Sequence, residues 1–179
     1  MITATDLEVR AGVRTLLTAP GDQLRVQAGD RIGLVGHNGA GKTTTMRMIM
    51  GVLQPSAGTV TWAGREVTVA DRRTFGYMPE ERGLYPKQPI LDQLVYLGRL
   101  HHMRGADAKA RALELLERLN LGDRAGSRLE ELSLGNQQRA QIAAALVHDP
   151  EVLILDEPFS GLDPLAVDVV AGVLQHIEE

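Results

Sequence analysis

The sequence predicts an α/β fold with a parallel-sheet core, an antiparallel β region on the N-terminal side and a helical insert. Three observations support this prediction. In the first thirty residues, apolar and polar side chains alternate loosely, which is typical of short paired strands. Two short, mostly apolar runs, Arg31–Val35 and Val152–Leu155, are typical of buried strands in a parallel sheet. Between about residues 86 and 149, apolar side chains recur every three or four positions, which indicates amphipathic helices.

The N-terminal part is predicted to contain most of the strands. Two or three short strands fill the first thirty residues, with turns at Gly12, Pro20-Gly21 and Gly29-Asp30. A buried strand over Arg31–Val35 then leads into a glycine-rich turn. A helix is expected from Gly41 to about Met50, where Gly51 ends it. Further strands are predicted at Thr59–Trp62, Glu66–Val69 and Thr74–Tyr77.

The C-terminal part is predicted to be mainly helical. Helices are expected over Ile90–Met103, over Asp107–Asn120 with Asp107 as N-cap and Leu121-Gly122 as stop, and from Gly135 to about Val147. A strand follows at Val152–Leu155. A last helix opens at Asp163-Pro164, because an N-cap residue followed by proline is a helix start signal. We expect one domain, with its core at 1–85 and 150–179 and the insert at about 86–149.

Composition narrows the possible functions. The 179 residues suit one domain, and the net charge of −4 disfavours a nucleic-acid binder, although a local basic patch could lie within an acidic total. The absence of cysteine excludes disulfides and Cys-ligated metals. The first residues do not resemble a secretory leader, and no apolar run is long enough to cross a bilayer. We therefore expect any link to a membrane to pass through a partner protein.

A phosphate-binding loop lies between the predicted strand and helix. Residues 36–43 match the pattern G-x-x-x-x-G-K-[ST] at every fixed position. In such a P-loop, glycines let backbone N–H groups approach phosphates, the helix dipole favours the anion, and the lysine reaches the β- and γ-phosphates. The alternative is a glycine-rich turn without a ligand. We expect a P-loop NTPase core that binds ATP through Gly36, His37, Asn38, Gly39, Ala40, Gly41, Lys42, Thr43 and Thr44, with Lys42 catalytic and the Thr43 hydroxyl on Mg²⁺.

An acidic pair follows the second apolar strand. Asp156 and Glu157 come directly after Val152–Leu155, at the carboxyl end of the strand, where α/β sheets bind ligands. We expect Asp156 to hold Mg²⁺ and Glu157 to orient or deprotonate the attacking water as the catalytic residue. Alone, a hydrophobic strand that ends in two acidic residues is weak evidence for a metal or catalytic site. In a sequence that also contains a P-loop, it is strong evidence.

A third motif identifies a family. The segment Leu132–Arg139 resembles the signature sequence of ABC ATPases, although Leu134 and Asn136 replace the usual glycine and glutamine. The resemblance implies that Ser133 and Gly135 contact the γ-phosphate. Without the other motifs, Ser133 would be interpreted as a plain helix N-cap.

Other segments extend the resemblance over the whole chain. The run from Ser160 to Asp163 looks like the D-loop of the family. The run Phe75–Glu80 resembles its Q-loop, with Glu80 in the place of glutamine as a possible Mg²⁺ ligand. The run Pro79–Pro86 resembles the ATP-binding subunits of ABC-2-type exporters.

Two features depart from the family pattern. The stretch Arg10-Ala11-Gly12 offers no aromatic side chain where members stack adenine. The switch histidine of the family would lie beyond Glu179, so we expect a chain truncated at its C-terminus. His176 lies in a helical pattern and is expected to be a packing or surface residue. We expect His101 and His102 to end a helix, and we do not expect them to chelate a metal, because adjacent histidines on a helix do not share a face.

The resemblance implies an ATPase subunit of a membrane exporter. Two copies would pair head to tail, so that Ser133 and Gly135 of one copy complete the ATP site of the other. A membrane permease would be the second partner, and the chain would lie in the cytoplasm on the inner face of the membrane. The alternatives are a soluble, non-transport ABC ATPase similar to translation factors, and a module that binds ATP without efficient turnover.

Overall fold

The computed structural model describes residues 1–11, 14–18, 21, 23–37, 39–81 and 83–175. The chain forms two compact units, Met1–Arg73 and Thr74–Glu179. The predicted division into a core and an insert at about residues 86 and 149 stays a prediction.

The first unit is built on an antiparallel sheet. Its strands are β1 Ile2–Ala11, β2 Arg14–Thr18, β3 Gln23–Val26, β4 Ala57–Trp62 and β5 Arg65–Glu66. β1 pairs with β2, β3 and β4, and β5 extends the sheet from β4. The apolar side chains of Ile2, Ala4 and Val60 are buried. Three strands within the first thirty residues agree with the prediction, while the predicted turn residues Gly12 and Pro20 lie outside the described residues.

The predicted strand Glu66–Val69 is wrong beyond Glu66. Residues Val69–Arg72 form a short helix, α2. The Thr68 hydroxyl accepts a hydrogen bond from the Asp71 N–H at 3.2 Å, and the Asp71 carboxylate accepts one from the Thr68 N–H at 2.8 Å. This reciprocal capping satisfies two backbone donors at a helix start, so it outweighs the strand preference of the valines.

The predicted buried strand at Arg31–Val35 is also wrong. The segment has no regular secondary structure, and the side chains of Ile32 and Val35 are 47% and 98% exposed. A strand needs a neighbour for its ladder of hydrogen bonds. Within the described residues, none of the strands pairs with this segment.

The predicted first helix is present as α1, Lys42–Ile49. Met48 and Ile49 are buried at its C-terminal end. Gly51 follows with a φ of 71°, and its N–H donates to the Met48 carbonyl at 3.0 Å, which ends the helix as expected.

The second unit combines a pair of parallel strands with four longer helices. Strands β6 Phe75–Met78 and β7 Val152–Leu155 pair in parallel, with Met78 opposite Leu155. β7 was predicted to be buried on both faces, but its four side chains are only half-buried, because among the described strands it pairs with β6 alone. The helices are α3 Ile90–Leu100, α4 Gly105–Arg118, α5 Leu134–Leu146 and α6 Pro164–Gln175. Short 3₁₀ turns lie at Gly122–Arg124 and Leu129–Glu131.

The bounds of α3 and α4 differ from the prediction. α3 ends at Leu100 rather than Met103, because His102 has a φ of 67°, outside the helical region. Asp107 is not an N-cap: α4 begins at Gly105, and the Asp107 carboxylate pairs with the Arg104 guanidinium at 2.6 Å. Among the described residues, no helix has the length and apolar character needed to span a membrane.

The core of the second unit lies where α3, α4 and α5 meet. Leu94, Leu115, Leu116 and Ile142 are each at most 1% exposed there. Burial of each such side chain contributes about 1.5–3 kcal/mol to folding. α5 contacts both other helices and both strands, so it is the element around which this unit is organised.

Candidate functional site

The glycine-rich loop in the first unit forms a tight turn ahead of α1. The N–H of Ala40 donates to the His37 carbonyl at 3.1 Å, and Gly41, the N-cap of α1, has a φ of 90°. A Cβ at Gly36 would lie 2.9 Å from the Cβ of Ala40. Side chains would therefore strain or fill the loop at both glycines. Asn38 lies outside the described residues.

Lys42 lies back over this loop. Its Nζ donates to the carbonyl oxygens of Gly36 at 2.8 Å and of His37 at 3.3 Å. Within α1, the N–H of Thr45 bonds to the Gly41 carbonyl at 2.8 Å, while helix geometry leaves the N–H groups of Lys42, Thr43 and Thr44 without intrahelical acceptors. A cation and several N–H donors thus lie together at a half-buried helix start beside an exposed loop, an arrangement suited to an anion.

Asp156 lies at the end of β7 in the second unit. Its N–H donates to the Met78 carbonyl at 2.9 Å, which continues the pairing with β6 past the end of the strand. The residue is 1% exposed, and its Oδ2 is buried without a hydrogen-bond partner among the described residues. A buried carboxylate oxygen without a donor is unfavourable unless a cation compensates it. The side chain is therefore suited to hold a metal ion.

Glu157 has an unusual backbone conformation. Its φ is 53°, in the left-handed region, and the residue is exposed. Its carbonyl oxygen accepts hydrogen bonds from the Ser160 N–H at 3.1 Å and from Nε2 of Gln138 at 2.9 Å. Gln138 was not singled out from the sequence.

Glu80 follows β6 after Pro79. Because Met78 and Leu155 are paired in parallel, Glu80 and Asp156 leave the sheet at the same edge. Glu80 is exposed. Within the described parts of the chain, no group of three or more His, Asp or Glu side chains could hold a metal. Where Mg²⁺ binds together with phosphate groups, it is usually held by one or two carboxylates together with phosphate and water.

The predicted signature residues begin α5. Ser133 is its N-cap, and the Ser133 hydroxyl accepts from the Asn136 N–H at 3.3 Å. A Cβ at Gly135 would lie 3.4 Å from the Gly161 carbonyl oxygen, so the helix start lies against the Ser160–Asp163 segment. Asp163 caps α6 as predicted: its Oδ1 accepts from the Ala166 N–H at 2.8 Å.

Two histidines pack together in the second unit. The rings of His101 and His148 stack with centroids 3.7 Å apart. Burial, with His101 nearby, lowers the pKa of His148 from 6.5 to about 4. Nε2 of His148 lies 3.2 Å from the Phe75 carbonyl oxygen. His176 lies outside the described residues.

The comparisons with known proteins identify one family. Residues 21–160 match the model of the ABC transporter family. The uncharacterized ABC transporter ATP-binding protein YhaQ of Bacillus subtilis is 53% identical over 138 residues, which are 77% of this chain and 46% of that protein. The Nod factor export ATP-binding protein I of Paraburkholderia xenovorans is 43% identical over 150 residues, 82% of this chain and 49% of that protein. The chain spans about half the length of these curated relatives.

A solved structure supports the fold. The dimeric structure of MJ0796, a bacterial ABC transporter cassette, matches with a TM-score of 0.86 at 23% identity and covers 98% of this chain and 82% of that one. The predicted α/β fold, with an antiparallel N-terminal sheet and a parallel sheet, is confirmed. Together with the match over residues 21–160, these similarities show that the chain belongs to the family of ABC transporter ATP-binding domains.

Proposed function

We propose that this chain binds ATP and hydrolyses it as the ATP-binding subunit of a membrane exporter. The observation that carries the proposal is the loop at residues 36–43, where Lys42 and the free N–H groups of α1 lie together above a tight glycine turn. An anion with several charges suits this arrangement better than any neutral ligand.

The residues of the loop have separate roles in this proposal. The backbone N–H groups of residues 36–44 bind the β- and γ-phosphates, and the Lys42 ammonium exchanges its loop carbonyls for phosphate oxygens. The hydroxyl of Thr43 is a ligand of Mg²⁺. The stretch Arg10–Gly12 offers no aromatic side chain, so adenine is held by other contacts.

The acidic residues of the second unit supply the metal and proton chemistry. Asp156, with its buried and unpartnered Oδ2, is the main carboxylate for Mg²⁺, and Glu80 is a further oxygen donor at the same sheet edge. When bound, Mg²⁺ neutralises charge that develops on the phosphate oxygens. The Glu157 carboxylate is exposed and accepts the proton of the attacking water.

A second copy of the chain completes the site in this proposal. Ser133 and Gly135 begin α5, where a capped helix start offers further N–H donors to a γ-phosphate. The dimeric state of the MJ0796 cassette supports a pair of modules. The family name and the export function of the Paraburkholderia relative support a permease partner and a place on the inner face of the membrane.

Two variants test the proposal. Lys42→Ala loses charge-assisted contacts of about 1.5–3 kcal/mol, so we expect ATP to bind about 10–100-fold more weakly. Glu157→Gln retains the shape of the side chain and removes the proton acceptor, so we expect binding within twofold and turnover lower by about 10²–10⁴-fold.

Binding is measured by fluorescence titration with a labelled ATP, and turnover by release of phosphate. Unchanged ATP affinity in Lys42→Ala would contradict the role of the loop. Unchanged turnover in Glu157→Gln would remove that residue from the reaction.

A further inference from the structure

We propose that Gln138 is a positioning residue that orients Glu157 and ties it to the signature residues at the start of α5. The proposal rests on the proposed function, because it assigns the reaction step to Glu157. It adds a residue that acts on hydrolysis through the backbone of Glu157.

The contact itself is direct. Gln138 lies in the second turn of α5 and is 8% exposed. Its Nε2 donates to the carbonyl oxygens of Glu157 at 2.9 Å and Pro158 at 3.3 Å. A primary amide carries two N–H donors, and here both are used on consecutive carbonyl groups. The buried amide therefore holds the two peptide units on either side of Pro158.

Glu157 needs such support. A non-glycine residue in the left-handed region has an unfavourable backbone conformation, which persists only where its surroundings hold it. The Glu157 side chain is exposed, so its own packing does not fix the backbone. Its carbonyl is held by Gln138 and by the N–H of Ser160 at 3.1 Å. Loss of the amide would release the backbone toward ordinary φ values and redirect the carboxylate.

Residues on one face of α5 contact three other segments, which contain Gly83, Glu157 and Gly161. Gly135, Gln138 and Gln141 are spaced three residues apart, so they lie along one side of α5. Gly135 lies beside the Gly161 carbonyl, and Oε1 of Gln141 accepts from the Gly83 N–H at 3.0 Å. A shift of α5 that begins at Ser133 would therefore reach Glu157 through Gln138. In this way, occupation of the partner's site by the signature residues would adjust the carboxylate of the same chain.

The test compares Gln138→Met with a matched control, Gln93→Met. Gln93 is another buried glutamine of the second unit, 3% exposed, and its Nε2 also donates to two carbonyl oxygens, those of Tyr85 at 3.0 Å and Gln88 at 2.9 Å. A misplaced catalytic group can slow a reaction by about 100-fold. We expect Gln138→Met to lower kcat by about 10–100-fold with ATP affinity within twofold, and Gln93→Met to leave kcat within about twofold.

A second readout does not depend on turnover. The ¹³Cα and ¹³Cβ chemical shifts of Glu157 report its φ angle in the nucleotide-free chain. We expect them to move toward ordinary values in Gln138→Met and to stay in place in Gln93→Met. Gln138→Asn, which keeps the amide but shortens its reach, is the second variant and should behave as Gln138→Met does.

The outcomes separate the two proposals. If the wild-type chain does not bind ATP, the proposed function fails. If the Glu157 shifts stay unchanged in both Gln138 variants, or move equally in Gln93→Met, the positioning role is wrong while the ATP-binding proposal stands. The positioning role alone would also be overturned if Gln138→Met retained the kcat of the wild type while Glu157→Gln lost turnover.

Discussion

Replacement of Asp156 by asparagine should stabilise the protein in the absence of metal. The carboxylate is 1% exposed, and its Oδ2 has no hydrogen-bond partner among the described residues. A buried polar atom left unsatisfied is unfavourable by about 1–3 kcal/mol, and a charged one by more. The asparagine amide still buries one unpartnered atom, but it removes the charge. We therefore expect the free energy of unfolding to rise by about 1–2 kcal/mol.

The assay is urea unfolding followed by circular dichroism, first in EDTA and then with Mg²⁺ and ATP. In EDTA the variant should unfold at a higher urea concentration than the wild type. With Mg²⁺ and ATP at about 100 times their dissociation constant, the wild type should gain about 2.7 kcal/mol, and the variant should gain less. The same substitution thus stabilises the empty protein and weakens the response to its ligands.

A matched aspartate gives the control. Asp71 is also buried, but its oxygens accept hydrogen bonds from Arg65 and Thr68, and the Arg65 guanidinium holds its pKa well below the usual range. Asp71→Asn should therefore lower the stability in EDTA. If Asp156→Asn also lowers it, Oδ2 has a partner in solution and the reasoning about a metal-binding carboxylate is refuted.

Two further predictions concern pH and assembly. Because the pKa of His148 is lowered from 6.5 to about 4, the unfolded chain takes up a proton between these values that the folded chain does not. The free energy of unfolding should thus fall as the pH drops from 6.5 to 4, and His148→Gln should flatten the fall; identical urea midpoints at each pH would contradict this. Since the chain has no cysteine, Ser133→Cys in one copy and Asn38→Cys in another should form a disulfide-linked dimer when ATP is present. No cross-linked band on a non-reducing gel would count against the head-to-tail pair, and Lys42→Ala added to both copies should abolish the band.

Local signals were predictable from the sequence. The turn before α1, the Ser133 cap and the Asp163-Pro164 start all depend on hydrogen bonds between residues at most four apart. Their residue types therefore carry the information by themselves. The α2 helix also depends on a local capping pair, Thr68 and Asp71, although the valines of this segment led to the prediction of a strand.

Features that depend on distant partners were not predictable. An apolar run such as Arg31–Val35 becomes a strand only where another strand lies beside it, and no local pattern states whether one does. The contact between Gln138 and Glu157 joins residues 19 positions apart. No sequence spacing predicts that a helical glutamine will donate to a carbonyl so far along the chain. The contact is therefore visible only in the folded structure.

The position of the Lys42 ammonium has a consequence for what determines the affinity of the loop for phosphate. Its Nζ is already bonded to the Gly36 and His37 carbonyl oxygens. A lysine loses up to about 2 kcal/mol of side-chain entropy when it is fixed, and here most of that loss occurs as the chain folds. When a triphosphate binds, the Lys42 ammonium exchanges the two carbonyl oxygens for phosphate oxygens, and no further side-chain torsion has to be ordered. Such preorganisation makes the affinity of the loop for phosphate depend more on the exchange of hydrogen bonds than on the ordering of the chain.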